Sequence, residues 1–67
     1  MGVRAEEIRR AARERMRRVS ELYDQGFEWP TIARQTGYSS APVAKNAFAK
    51  YKDRHGPPPW PKLEEER

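Results

Sequence analysis

Lys45 and Asn46 are the strongly polar side chains in a stretch otherwise made of small and apolar residues, Ser39-Ser40-Ala41-Pro42-Val43-Ala44-Lys45-Asn46. Their chemistry is non-covalent recognition. A lysine ammonium can meet the acceptor edge of guanine, and an asparagine amide can pair twice with adenine. Ser39 and Ser40 can bond to a base or a phosphate with little discrimination, while Ala41, Pro42 and Ala44 suit apolar contact with thymine methyls. Thr31, Arg34 and Lys52, with Arg17 and Arg18 upstream, are candidates for phosphate contact. Direct base reading by this set is thin. Help is expected from a second subunit, from DNA shape, or from arginines reaching the minor groove.

Covalent chemistry finds little footing. His55 is the single histidine and stands beside Gly56, as a solvated helix-end residue would. No Ser-His-Asp set, metal-ligand spacing or Gly-rich phosphate loop can be assembled. Without cysteine there is neither a disulfide nor a thiolate metal site. The expectation is a binding protein with no enzymatic activity, no cofactor and no metal.

Two short helical patterns carry the candidate residues. The first, about 29–36, opens beside Pro30, which a first helical turn tolerates because no intrahelical donor is needed there. Glu28 occupies its N-cap position, and Ile32 and Ala33 give it an apolar side. Gly37 can take positive φ and turn the chain sharply. The second pattern, about 40–54, has Ser39 or Ser40 as N-cap and Pro42 in its first turn. Val43, Ala47 and Tyr51 recur every four residues and are expected to face inward. Phe48 is read as core or as an exposed partner contact, and Trp29 as core or lid. Two helices joined by a short glycine-containing turn make a helix-turn-helix, whose second helix commonly enters the DNA major groove.

Ile32-Ala33, then Gly37-Tyr38-Ser39, then Val43 resemble the "Ile-Ala, Gly-hydrophobic-Ser, Val" core of bacterial and phage helix-turn-helix domains. That family includes short phage regulators such as Cro and excisionases, DNA-binding domains of LuxR and LacI type, and the promoter-reading region of sigma factors. The resemblance covers roughly a third of the chain. Many relatives carry an aliphatic residue three positions after the valine, where this chain has Asn46; Ala47 can take that packing role, as in the sigma and LuxR variants. The resemblance implies an all-α, three-helix domain binding double-stranded DNA.

Upstream, residues from Val3 to about 25 read as one long helix with Ile8, Ala12, Met16, Val19 and Tyr23 along its apolar stripe. Glu6 and Glu7 in the opening turn suit the helix dipole, and Gly26 follows as a cap. Seven arginines crowd the first eighteen residues, either facing phosphates or lacing a solvated face with ion pairs such as Glu14–Arg18. Residues 1–54 hold a net charge of +5 and residues 55–67 a net of −1, so the positive charge sits on the helical part. At 67 residues the chain can bury one small core, which a second copy packed on the leading turns of the long helix would extend.

Beyond residue 55 the composition changes. Pro57-Pro58-Pro59-Trp60-Pro61 favours an extended tail, followed by the acidic run Glu64-Glu65-Glu66. Trp60 either folds back onto the domain, docks on a partner protein, or stays free. No apolar run reaches membrane-spanning length, so the expectation is a cytoplasmic protein. The organisation expected is a helix-turn-helix domain over 1–55, acting as a homodimeric phage or bacterial regulator, with a Pro-rich and acidic tail over 56–67. An excisionase or packaging accessory, and a protein-interaction module using the arginine-rich helix and the tail, are the alternatives.

Overall fold

The computed structural model describes residues 2–63. It contains three helices, α1 (Gly2–Asp24), α2 (Trp29–Thr36) and α3 (Ala41–His55), and no strand among the described residues. The protein is all-α, with bounds within a residue or so of those read from the sequence. No helix is long and apolar enough to cross a membrane among the described residues.

Each boundary has a local cause. At the end of α1 the chain closes a Schellman turn: the Phe27 amide donates to the Leu22 carbonyl and the Gly26 amide to the Tyr23 carbonyl, both at 3.1 Å. Gly37 ends α2 with φ at 87°, a left-handed conformation that L side chains adopt at a cost. Ser40 resolves the choice of cap for α3, its hydroxyl accepting from the Val43 amide at 3.4 Å. Because α1 begins at Gly2, Glu6 and Glu7 fall in its second turn rather than its first, where the dipole effect has faded.

The core is built from Met16, Val19, Leu22, Ile32, Phe48 and Trp60, with Trp29, Tyr38, Ala47 and Tyr51 packed against it. Ala33 and Ala44, also buried, are the small residues on α2 and α3 that let these helices approach closely. Three expected core positions lie outside. Ile8 is 63% exposed, Tyr23 53% and Val43 45%. Tyr23, at the end of α1, rests its ring against Trp29 and Phe48 at 5.4 and 5.7 Å and keeps its other side in water; for Ile8 the reason is length. A helix of 23 residues runs about 34 Å, nearly the whole 38 Å long axis of the molecule, so its leading turns pass beyond α2 and α3. For α3 the reason is phase. A run of every-fourth residues drifts around a 3.6-residue helix, so Val43 lies about 80° from Tyr51. The buried pair Ala44 and Phe48, with Ala47 and Tyr51 half-buried, centres the inward face instead.

The Pro-rich segment does not extend away from the helices. Trp60 is 4% exposed, edge-on to Phe48 and Tyr51 with ring centroids at 5.8 and 4.8 Å, and its indole N–H donates to the Gly56 carbonyl at 2.9 Å. Two arginines of α1 hold the segment in place. Arg13 Nη1 donates to the Pro61 carbonyl at 2.6 Å, and Arg17 Nε to the Trp60 carbonyl at 3.0 Å. An exposed indole in water is worth less than one closing a small core, which is why the tail returns. The acidic run that follows lies outside the described residues.

Candidate functional site

With Ala44, Ala47, Phe48 and Tyr51 turned inward, the opposite face of α3 is defined. Pro42, Asn46 and Ala49 run along its centre, with Lys45 on one flank and Lys50 on the other, all exposed. Asp53 closes the strip at its far end, some 16 Å of helix rise from Pro42. Asn46 therefore presents its amide from the middle of the face, between two ammonium groups. Ser39 and Ser40 are exposed at the entry to the helix and Ala41 is half-exposed, although the Ser40 oxygen already caps the Val43 amide.

The electrostatics follow from composition. Between Trp29 and Lys52 the chain carries Arg34, Lys45, Lys50 and Lys52 and not one aspartate or glutamate; Glu28 and Asp53 stand just outside. Arg34 is exposed on α2 and Thr31 half-buried in its first turn, near the free amides of the helix start. Lys52 is exposed, with its ammonium 5.1 Å from the centre of the Phe48 ring, so it stands beside the strip rather than on it.

Two expected contact residues are placed elsewhere. Ala44 is 0% exposed, because it sits at the centre of the α3 face packed on the core, and it cannot touch a base. Arg17 turns away from any ligand: its Nε serves the tail and its Nη1 pairs with Glu14 at 3.0 Å. The pair expected between Glu14 and Arg18 is thus Glu14 with Arg17, and Arg18 reaches Glu21 at 3.6 Å. Both partners of that second pair are more than half exposed, so it holds Arg18 weakly and leaves it available.

Three further residues take their roles from the tertiary structure. Lys50 is one turn beyond Asn46 on the outward face, a spacing that would have revealed it once the inward phase was known. Arg13 is 8% exposed and donates from Nε to the Tyr51 hydroxyl at 2.7 Å, a structural role that a crowd of arginines conceals. Arg15 lays its guanidinium 5.0 Å from the Tyr38 ring centre, bracing the turn between α2 and α3 from α1. Among the described residues, no three His, Cys, Asp or Glu side chains gather as a metal-holding group. What the arrangement offers is an exposed, cation-flanked helix face with one side-chain amide at its centre. No family model, curated protein or solved structure matches the chain.

Proposed function

We propose that the protein binds double-stranded DNA sequence-specifically through α2, the Gly37 turn and α3 as a helix-turn-helix, with α3 in the major groove. The observation that carries this reading is the outward strip of α3 from Pro42 to Lys50, set in a stretch from Trp29 to Lys52 whose 24 residues hold four cations and no acid, with Asp53 just beyond. A face of this kind meets phosphates on both sides of a groove while a central side chain reaches the base edges. Asn46 is the base reader, favouring adenine, and Lys45 reaches guanine or phosphate. Ser39, Ser40, Ala41, Lys50, Lys52, Arg34, Thr31 and Arg18 supply positioning contacts. In this role the chain is a small bacterial or phage regulator of the type its Ile32–Val43 motif resembles, acting as a dimer on a palindromic site. The burial of Trp60 supports this reading over that of a module capturing a partner protein through the arginine-rich helix and the tail.

Selection from a random duplex pool at low and near-physiological salt tests the proposal. An enriched motif that survives the higher salt supports it, and palindromy within that motif supports the dimer. Asn46→Ala should then relax the preference at one base position by about 1–3 kcal/mol, while Lys45→Ala weakens binding with folding intact. Binding without any motif, lost as salt rises, would refute sequence-specific recognition.

A further inference from the structure

The arginines in the middle of α1 differ in what their guanidinium groups hold. Arg13 donates to the Tyr51 hydroxyl and the Pro61 carbonyl, Arg17 to the Trp60 carbonyl and to Glu14, and Arg18 pairs with Glu21. Arg15 stands apart for a reason visible in the sequence. The positions three and four residues away on the helix, where a pairing acid would stand, are Ala11, Ala12, Arg18 and Val19. Its side chain runs instead to the turn between α2 and α3. The guanidinium carbon lies 5.0 Å from the centre of the Tyr38 ring, and Nη2 is 4.0 Å from where a Cβ on Gly37 would stand. Among the described residues no carboxylate pairs with Arg15 and no hydrogen bond engages it. Arg15 is exposed, whereas Tyr38 is half-buried and packed on the core, so an anchored aromatic ring carries a solvated cation.

We propose that Arg15 binds a backbone phosphate of the DNA, held on Tyr38 so that its guanidinium meets the strand where it passes the α2–α3 turn. This role rests on the DNA-binding reading and adds to it a contact from the middle of α1. A guanidinium resting against a ring still presents N–H donors to the other side, and their planar fork matches the oxygens of a phosphate. The turn that Arg15 reaches leads into Ser39 and Ser40, both exposed at the entry to the outward strip of α3. The chain from Trp29 to Lys52 has no aspartate or glutamate, so neither helix beside the turn offers an acid to compete for the group. Placement on the ring also matters energetically. A free arginine loses much rotamer freedom on binding, and contact with Tyr38 has already restricted it before the ligand arrives. A lysine at this position would keep the charge without the planar fork.

The test compares the full chain with its R15Q and R15K variants. Position 15 is exposed, so neither substitution opens the core. The first readout needs no DNA: inorganic phosphate is titrated, with chloride at the same ionic strength as control, while the Tyr38 ring and Gly37 amide resonances are followed. Phosphate should move both in the parent and neither in R15Q. No response, or the same response in the two chains, would overturn the proposal. The second readout is affinity for the selected duplex and for a random duplex over a range of salt. A phosphate contact carries no sequence information, so R15Q should weaken both alike, roughly three- to tenfold at low salt, and flatten the log–log salt slope by about 0.9. R15K should recover the slope but only part of the affinity. Equal affinities of parent and R15Q would overturn the contact. So would a loss confined to the selected duplex with the slope unchanged, which would make Arg15 a prop for the turn alone. If the parent binds no duplex at all, the DNA-binding reading fails, and the phosphate titration still decides whether Arg15 holds an anion.

Discussion

Replacing Trp60 with alanine should remove a large part of the stability of this small protein. The indole is 4% exposed, edge-on to Phe48 and Tyr51, with its N–H bonded to the Gly56 carbonyl. Burying 150–250 Å² of aromatic surface at 25 cal/mol per Å² gives roughly 4–6 kcal/mol as an upper figure. The alanine variant regains conformational freedom over the tail, but prolines at 57, 58, 59 and 61 limit how much there is to regain. A net loss of about 3 kcal/mol follows, within the usual range for large-to-small aromatic changes. Against a total of roughly 3–10 kcal/mol for a domain of this length, that brings the chain close to its unfolding threshold. Urea unfolding followed by far-ultraviolet circular dichroism measures it, with Trp29 left as a fluorescent reporter. At a slope near 1 kcal/mol per molar urea, the midpoint should fall by about 3 M. Trp60→Phe should keep most of the packing and lose only about 1 kcal/mol with the indole hydrogen bond. A loss below about 1 kcal/mol for the alanine variant would refute the reasoning, because it would mean that the indole rests on the surface and closes nothing.

The inward phase of α3 makes a paired prediction. Ala44→Leu should overpack the α2–α3 contact and destabilise by about 1–3 kcal/mol, whereas Val43→Lys should change thermal stability little; the opposite ranking in a melting experiment would return Val43 to the core. Gly37 has φ of 87° with no close neighbour for an added Cβ beyond the Arg15 guanidinium at 4.0 Å. Gly37→Ala should therefore cost about 1–2 kcal/mol from backbone conformation alone, and a neutral result in chemical denaturation would show that the turn relaxes freely.

Local chemistry was readable from the sequence because the signals act within a few residues. Gly26, Gly37, Ser40 with Pro42, and the His55-Gly56 stop punctuate three helices in the structure close to where the text of the chain puts them. The cationic character of α3 was readable for the same reason, since charge is a property of composition. Facing directions were not. Val43, Ala47 and Tyr51 fit a four-residue repeat as well as Ala44, Ala47, Phe48 and Tyr51 fit a true helical one, and only the docking of α2 and α1 on α3 selects between them. That selection buries Ala44, exposes Val43 and brings Lys50 onto the outward strip. The arginines show the same divide. Identical side chains on one helix become a buried clamp at Arg13, a tail tether at Arg17, a brace over Tyr38 at Arg15 and a solvated group at Arg18. Their fates depend on where the tail, Tyr51 and Tyr38 arrive, contacts spanning 23 to 48 residues that no local pattern encodes. Sequence determined the helices, their ends and the sign of the charge; tertiary packing decided which side of each helix meets water, and so which charges remain free to meet a ligand.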